Sequence, residues 1–273
     1  MSALEEILRA KRARVRELRR SRPWGALRSE LLFAEPRRSL SDALRRPSCA
    51  APGGSPEPIR FLCEIKRASP SAGPIRLEAD APAIAAAYRD GGAAAVSVVT
   101  EEEFFRGRPS DLATVRTIGL PLLMKDFFLD PWQIGQARAL GADAILLIVA
   151  ALSRAQLDEL AAAARELGLD ALIEVHTEAE CEAAARVAPG LIGVNNRDLD
   201  SLRVDLRVSE RLLDHLPPDA VRLSESGIGD RADVVRLDRF DGLLVGERLM
   251  RARDPGRELR SFRGVSDERE REG

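Results

Sequence analysis

The chain contains few cysteines, only Cys49, Cys63 and Cys181 among its 273 residues. Their number is odd and no two of them lie close in sequence, which argues against a disulfide framework and against a zinc site. Cys63 stands inside an apolar run and is expected to be a buried thiol. Such sparse use of cysteine is typical of a reducing compartment, so we expect a cytoplasmic protein.

Long apolar runs are also missing, since no stretch approaches the roughly 20 residues that a helix needs to span a bilayer. The N-terminal segment carries acidic residues and repeats its apolar positions at helical spacing, unlike a secretory signal peptide. We therefore expect neither a membrane anchor nor a membrane partner.

No excess of one charge is present, because 44 acidic residues balance 42 basic ones and leave a formal net charge of −2. Arginines are frequent near both ends of the chain, but Glu and Asp alternate with them, as on solvated helix faces. Binding to nucleic acid requires a basic face. The sequence therefore gives no reason to expect a nucleic-acid partner.

The first sixty residues have the pattern of a helical extension. Apolar residues recur at helical spacing from Leu4 to Leu18, and shorter helical patterns follow around residues 27–33 and 40–44. A segment rich in Pro, Gly and Ser at residues 47–58 predicts a loop that ends this zone.

Beyond residue 60, short apolar runs alternate with Ala-rich helical stretches. Eight runs predict strands, at residues 61–66, 94–100, 120–125, 143–149, 171–175, 191–195, 221–225 and 241–246. Each interval is long enough for the crossover helix that parallel strands require, and Gly92, Gly141 and Gly168 have the positions of helix C-caps.

This βα rhythm predicts an α/β protein with a closed (β/α)8 TIM barrel, and an open doubly wound sheet is the alternative. We expect residues 1–273 to form a single barrel domain in which residues 1–60 are a helical N-terminal extension. Two placements of the extension are open: across the mouth of the barrel, or against its side.

Polar side chains stand at the C-terminal ends of the predicted strands, which is the face where such barrels keep their chemistry. Alternation along a strand directs Glu64 and Lys66 into the barrel, together with Leu62. The same parity directs Lys125, Glu174 and Asn195 inward. Buried charges need partners or a charged ligand, so this cluster predicts a binding or catalytic site.

The seventh and eighth strands end in glycine-containing turns. Glu225 and Ser226 cannot both point inward by alternation, so we expect Ser226 to begin the loop. Gly227 and Gly246 then follow strands seven and eight, where this fold often binds phosphate through backbone N–H groups.

Six motifs, in order along nearly the whole chain, resemble those of indole-3-glycerol phosphate synthases: EIKRASPS (64–71), LLMKDF (122–127), IEVH (173–176), GVNNRDL (193–199), SESGI (224–228) and VGERLM (245–250). The resemblance implies an enzyme of tryptophan biosynthesis, a carbon–carbon lyase of the carboxy-lyase type. Its substrate would be 1-(2-carboxyphenylamino)-1-deoxyribulose 5-phosphate, and its products indole-3-glycerol phosphate, carbon dioxide and water. The family uses no metal and no organic cofactor.

The resemblance also implies the site residues. The catalytic group would be Glu64, Lys66, Lys125, Glu174, Asn195 and Ser226. The substrate-binding group would be Ser69, Phe105, Phe127, Leu146, Ile148, Arg197, Leu199, Leu202, Gly227, Gly246 and Glu247.

The reaction gives these residue types a purpose. A cation has to donate a proton to the substrate carbonyl, and we assign this role to Lys125 as a hypothesis. Lys66 with Glu64 or Glu174 suits the later acid and base steps, and the sequence does not decide which lysine is the acid in each. Four apolar residues offer a slot for the anthranilate ring: Phe105, Phe127, Leu146 and Ile148.

Other interpretations stay open at this point. A different phosphate-binding barrel enzyme, such as a sugar-phosphate isomerase or a Schiff-base aldolase, is the runner-up, and a non-catalytic barrel relative is the third. His176 beside Glu174 is interpreted as a loop or supporting residue, and Arg248 as a phosphate contact or a surface residue. The expected partner is a small sugar phosphate carrying an anthranilate group, bound by a monomer or weak homodimer.

Overall fold

Eight parallel strands close into a barrel in the computed structural model, which describes residues 2–30, 33–46 and 58–265. The barrel strands are β1 (Arg60–Ile65), β4 (Ala95–Val99), β5 (Leu122–Lys125), β6 (Ala144–Ile148), β7 (Asp170–Val175), β8 (Leu191–Asn195), β9 (Val221–Glu225) and β10 (Gly242–Val245). In the loop after β1, the short strands β2 (Ala68–Ser69) and β3 (Gly73–Pro74) pair antiparallel. The strand β1 pairs with both β4 and β10, so the predicted (β/α)8 barrel is confirmed and the open sheet is excluded.

Helices surround the barrel and form the leader. They are α1 (Ala3–Ser21), α2 (Trp24–Arg28), α3 (Leu40–Leu44), α4 (Ala81–Gly91), α5 (Asp111–Val115), α6 (Pro131–Ala139), α7 (Arg154–Glu166), α8 (Glu178–Ala185), α9 (Arg207–Leu212), α10 (Arg231–Arg236), α11 (Glu247–Arg251) and α12 (Pro255–Arg263). Within the described ranges, none of them combines the length and apolar character needed to cross a membrane.

Local sequence explains where the crossover helices begin and end. Side chains of Asp80 and Ser153 accept hydrogen bonds from first-turn N–H groups of α4 and α7, which leaves fewer backbone donors unpaired. Gly92, Gly141 and Gly168 follow α4, α6 and α7 with φ angles of 91°, 87° and 66°. These left-handed conformations favour glycine and confirm that the three residues end helices before a strand.

Side-chain alternation separates two apolar layers. Phe61, Cys63 and Ile65 of β1 belong to the large cluster between the strands and the helices. Leu62 of the same strand and Leu123 of β5 belong to the smaller cluster inside the barrel. The predicted inward and outward faces are therefore confirmed, as is the buried thiol of Cys63, which is fully shielded from solvent.

The leader runs from one end of the barrel to the other. Helix α1 lies at the C-terminal mouth, where Leu4 and Ile7 line a cavity. The short helix α3 lies at the opposite end, where the Ser41 N–H donates to Asp170 at the first residue of β7 at 2.9 Å. The leader therefore takes both placements left open by the sequence, because α1 lies at the mouth and Trp24 of α2 packs against α6 on the side of the barrel. Helix α3 also closes the base.

Two details of the leader differ from the pattern or lie outside the described residues. The second helix occupies Trp24–Arg28 rather than residues 27–33, because it begins directly after Pro23, which has no N–H to be left unpaired. The indole of Trp24 lies against Gly135 of α6, where a Cβ would come within 2.0 Å of the ring. Residues 47–57 of the predicted loop lie outside the described ranges.

Candidate active site

A cavity of about 390 Å³ opens at the C-terminal ends of the barrel strands. Every residue that the sequence assigned to a catalytic or binding role lines it: Glu64, Lys66, Ser69, Phe105, Lys125, Phe127, Leu146, Ile148, Glu174, Asn195, Arg197, Leu199, Leu202, Ser226, Gly227, Gly246 and Glu247. The C-terminal ends of the strands supply most of the ionisable groups, and the loops form the walls together with β6. Side chains that are far apart in sequence therefore meet in one pocket.

Lys125 at the end of β5 is the centre of a buried ion cluster. Its Nζ lies 3.3 Å from Oε2 of Glu174 and 3.0 Å from Oε2 of Glu225. Burial lowers the pKa of Lys125, but the charges of Glu225, Glu174 and Glu64 outweigh that effect and raise it overall. The lysine is therefore a cation in the resting site, since its carboxylate neighbours dominate over its desolvation.

Glu174 and Glu225 share this single cation, and their pKa values move apart. Burial raises the pKa of Glu174, but Lys125, His176 and a hydrogen bond from Asn195 reverse the effect and lower it. Burial raises the pKa of Glu225 to about 7, with Lys125 opposing the shift and the charge of Glu174 adding to it. Near neutral pH one carboxylate is thus ionised while the other exchanges a proton.

Glu225 is a site residue that the sequence assignment missed. It is 1% exposed and is not among the residues that line the cavity, so it acts on the site through Lys125. Gly193 of β8 provides the space, because a Cβ there would lie 2.1 Å from Oε1 of Glu225. The sequence did contain a signal for Glu225. Strand alternation lets only one of Glu225 and Ser226 point inward, and placing Ser226 in the loop leaves Glu225 as the inward residue.

The backbone resolves that conflict after β9. Ser226 has a φ of 67°, in the left-handed region, so strand alternation ends at Glu225 and the serine also lines the pocket. The expectation that Ser226 begins the loop is confirmed. The side-chain amide of Asn196 holds the turn by donating to the carbonyl oxygens of Glu225 and Ser226 at 2.9 and 3.1 Å.

A second ion pair stands at the C-terminal end of β1. Nζ of Lys66 lies 2.7 Å from Oε1 of Glu64, whose side chain is only 2% exposed. Gly246 allows β10 to come this close, because a Cβ there would lie 2.5 Å from the same oxygen. The other carboxylate oxygen of Glu64 has no hydrogen-bond partner within the described residues.

Aromatic and aliphatic side chains form one wall of the cavity. The rings of Phe105 and Phe127 lie 6.2 Å apart between centroids and are tilted by 47°. Leu146 and Ile148 of β6 join the wall from the inner core. The Glu101 carboxylate orders the loop of Phe105 by accepting its backbone N–H at 3.0 Å. The arrangement is an apolar slot beside a charged floor.

The leader helix contributes a buried cation that the sequence assignment also missed. Lys11 is 7% exposed, and its Nζ lies 2.6 Å from Oδ1 of Asp126 and 3.9 Å from Glu101. Asp126 also accepts a hydrogen bond from Thr100 at 2.9 Å and follows Lys125 directly. The signal was the position of Lys11 on the apolar face of α1, one turn after Ile7.

Two residues with open interpretations are now placed. His176 packs between Glu174 and Glu180, with Nε2 lying 3.5 Å from Oε1 of Glu174. Arg248 lies at the rim of the cavity, mostly exposed, and pairs with Glu258 at 2.6 Å. Among the described residues, no three His, Cys, Asp or Glu side chains are grouped as metal ligands.

Solved structures similar to this chain have its fold. KGPDC from Streptococcus mutans superposes with a TM-score of 0.59 at 10% identity, covering 76% of this chain and 97% of that protein. A thiamine phosphate pyrophosphorylase from Pyrococcus furiosus gives a TM-score of 0.55 at 16% identity, covering 76% and 94%. At such low identity the likeness shows the barrel fold alone.

The relatives found by sequence are similar enough to indicate the family and not only the fold. Indole-3-glycerol phosphate synthase from Azospirillum brasilense is 43% identical, over 92% of this chain and 95% of its own length. The enzyme of the same name from Aromatoleum aromaticum is 40% identical, over 96% and 98%. Indole-3-glycerol phosphate synthase 2 from Ralstonia nicotianae is 50% identical, over 71% and 74%.

The family model described as indole-3-glycerol phosphate synthase matches residues 4–262, which cover α1 from its second residue and all eight strands of the barrel. The six motifs of the cavity fall inside this match, and so do the ion clusters around Lys66 and Lys125. The chain therefore belongs to the indole-3-glycerol phosphate synthase family.

Proposed function

We propose that this chain converts 1-(2-carboxyphenylamino)-1-deoxyribulose 5-phosphate into indole-3-glycerol phosphate, carbon dioxide and water, as a carboxy-lyase of tryptophan biosynthesis. One observation carries the proposal: the ion clusters of Lys66 and Lys125 meet in a single cavity with an apolar wall. The substrate has the matching parts, namely an aromatic ring, a carboxylate, a carbonyl and a phosphate.

Substrate binding would use the walls of the cavity. The anthranilate ring would lie in the slot between Phe105 and Phe127, where its apolar faces leave water. The phosphate would bind the backbone N–H groups of the turns at Gly227 and Gly246. The substrate carboxylate would face Lys66 until carbon dioxide leaves, because Lys66 pairs with one carboxylate of the site whereas Lys125 pairs with two.

Ring closure would begin at the carbonyl carbon. The aromatic carbon that bears the carboxylate attacks it, and the carbonyl oxygen takes a proton from Lys125. A lysine held between Glu174 and Glu225 is charged before the reaction, so it also stabilises the developing oxyanion. Because its pKa lies near 7, Glu225 is suited to return a proton to Lys125.

Decarboxylation and dehydration would follow. The carbon–carboxylate bond breaks and its electron pair restores the aromatic ring as carbon dioxide departs. The new hydroxyl then leaves as water with a proton from Lys66, and Glu174 removes a proton from the ring-closed intermediate. Two protons enter and one leaves, which balances the loss of one negative charge with carbon dioxide.

The experiment is to mix the purified protein with this substrate and to follow indole fluorescence. We expect the signal to appear without any added metal or cofactor, together with one equivalent of carbon dioxide. A protein that binds the substrate but releases neither product would contradict the proposal.

A Schiff-base aldolase is the alternative that the charge of Lys125 disfavours. An amine must be neutral to attack a carbonyl, whereas the three carboxylates near Lys125 raise its pKa. Borohydride treatment in the presence of a ketose phosphate would trap such an enzyme as a covalent adduct. We expect no adduct at Lys125 by mass spectrometry.

We also propose that the protein works as a monomer or weak homodimer. The large apolar side chains exposed in the described ranges each lie on a different helix or loop: Trp24, Leu77, Val204, Val235 and Val265. Homodimer interfaces are more apolar than the rest of a protein surface, so the small number of exposed apolar side chains favours a monomer or a weak dimer. Light scattering across a concentration series checks this proposal, and a tight oligomer at low concentration would contradict it.

A further inference from the structure

His176, the first residue after β7, joins a carboxylate of the cavity to a carboxylate on the outer helix α8. Its Nε2 lies 3.5 Å from Oε1 of Glu174, and its Nδ1 lies 3.2 Å from Oε2 of Glu180. The side chain of His176 is only 11% exposed. Within the described residues, Nε2 has no standard hydrogen bond, so the Glu174 carboxylate is its facing polar group.

Glu180 fixes the imidazole in place. Its Oε2 also accepts the backbone N–H of His176 at 2.8 Å, and its Oε1 accepts the Thr177 hydroxyl at 3.2 Å. Thr177 in turn caps α8 by accepting the Glu180 N–H. A carboxylate can only accept, so Nδ1 carries a proton and donates it to Glu180.

The opposite ring nitrogen then has two possible states. Without a proton, the Nε2 lone pair faces the negative oxygen of Glu174 and is repelled by it. With a proton, Nε2–H is a charged donor aimed at that oxygen, which is attractive in a buried site. The geometry therefore favours the imidazolium form of His176.

The charged groups around the imidazole of His176 also favour its protonated form. Acidic groups face it from four elements: Glu174 on β7, Glu180 on α8, Glu225 on β9 and Asp198 after β8. Lys125 is the nearby cation, on the far oxygen of Glu174. Burial lowers the pKa of His176, but Glu180, Glu174 and Glu225 outweigh it and raise the pKa overall.

We infer that His176 is a positioning residue for Glu174, clamped by Glu180 so that its protonated Nε2 holds one carboxylate oxygen while Lys125 holds the other. Glu174 is thereby kept ionised and oriented, which is the state that a base needs. The inference rests on the proposed function, in which Glu174 removes a proton.

The sign of the effect follows from linkage. A cation beside Glu174 lowers its pKa, so removing that cation raises the pKa of Glu174 and protonates the base at a higher pH. The acidic limb of the kcat profile should then move toward neutral pH. A purely structural histidine would change kcat by a similar factor at every pH.

The direct test is an NMR titration of the histidines in the intact protein. The chain has only two, and His215 lies half exposed beside Glu178, so His215→Asn assigns both signals. We expect Glu174→Gln and Glu180→Gln each to lower the titration midpoint of His176 and to leave that of His215 unchanged. A His176 midpoint that neither variant moves would overturn the inference.

The kinetic test compares kcat across pH for three variants. Asn at position 176 removes the donor to Glu174, whereas Gln keeps a neutral N–H near the position of Nε2. We expect the acidic limb to move furthest in His176→Asn, less in His176→Gln, and not at all in the His215→Asn control. Limbs that coincide for all three would refute the inference.

The two tests separate the possible failures. If the wild-type protein forms no indole product, the proposed function fails, while the NMR titration still reports whether His176 is coupled to Glu174. If the product forms but neither the titration nor the acidic limb responds, only the role of His176 fails. Should His176→Asn not fold, the titration of Glu174→Gln decides, since it keeps the histidine.

Discussion

Lys11 of the leader helix lies 2.6 Å from Asp126, the residue that follows the central lysine of the cavity. Removing one partner of a buried ion pair leaves the other charge without its counterion, and typically costs about 3–5 kcal/mol. Asp126 keeps its hydrogen bonds from Thr100 and from the Phe127 N–H in the variant. We therefore expect Lys11→Met to lower the free energy of unfolding by an amount near the lower limit of this range. Denaturant unfolding measures this cost.

The same variant should raise KM, because Asp126 and Glu101 order the loops that carry Phe127 and Phe105. Arg14→Met is the matched control. Arg14 lies on the same helix as Lys11 and pairs with Glu102, but its side chain is 42% exposed, so its loss should cost less than about 1 kcal/mol. Equal effects of the two variants would show that α1 does not support the site through Lys11.

Gly193 of β8 leaves the space that the Glu225 carboxylate fills. Because a Cβ there would lie 2.1 Å from Oε1, Gly193→Ala should displace Glu225 from Lys125. We expect a loss of stability of about 1–3 kcal/mol, as for overpacked interiors, together with a lower kcat. Calorimetry and steady-state kinetics measure the two effects.

Gly190, just before β8, is the control for that substitution. Nothing lies within 4 Å of a Cβ built there, so Gly190→Ala should leave both stability and kcat close to wild type. If Gly193→Ala were equally silent, the close packing of Glu225 against β8 would not matter for the site.

The raised pKa of Glu225 has a defined consequence for stability against pH. Its carboxylate is harder to ionise in the folded protein than in the unfolded chain, so its contribution is fully present at acidic pH. That contribution is lost as pH rises through about 7. Glutamine does not titrate, so the Glu225→Gln variant does not undergo this loss. The free energy of unfolding of the variant minus that of the wild type should therefore rise between about pH 4.5 and 7 and then level off.

The rise in the stability of Glu225→Gln relative to the wild type would be roughly 3 kcal/mol, since each unit of pKa shift corresponds to about 1.36 kcal/mol. Urea unfolding of both proteins across this pH range provides the measurement. A stability difference that is flat with pH, or that falls as pH rises, would contradict the assignment of the proton to Glu225.

Phe105 forms one side of the apolar slot and should act mainly on binding. Phe105→Ala removes contacts with the anthranilate ring, so we expect KM to rise by about tenfold, equivalent to 1.4 kcal/mol, with a smaller change in kcat. Phe104→Ala is the control, because that neighbouring ring does not line the cavity. A kcat loss without a KM change would place Phe105 outside the binding slot.

The sequence predicted the barrel because alternation and period are local properties. Leu62 and Phe61 differ in direction for the same reason that any two neighbours on a strand do, and the two apolar layers follow from that rule. Glycines such as Gly92 mark helix ends because only a left-handed residue fits there. The predicted strand bounds therefore agree with the structure to within about two residues.

The misses depend on contacts between distant parts of the chain. Lys11 and Asp126 are more than a hundred residues apart, and no local pattern pairs them. Strand parity directs Glu225 inward, but its role depends on Lys125 of β5 and on the space beside Gly193 of β8, which are distant in sequence. The charge of Lys125 depends on how many carboxylates lie within reach of it, which only coordinates reveal.

Lys125→Met gives the most direct measurement of whether a charged lysine between Glu174 and Glu225 drives ring closure. Methionine keeps the volume of the side chain but has neither the charge nor the proton. We expect indole fluorescence to disappear, with kcat at least about 100-fold below wild type, while calorimetry still detects substrate binding. Indole formation by Lys125→Met at a rate near that of the wild type would contradict the account.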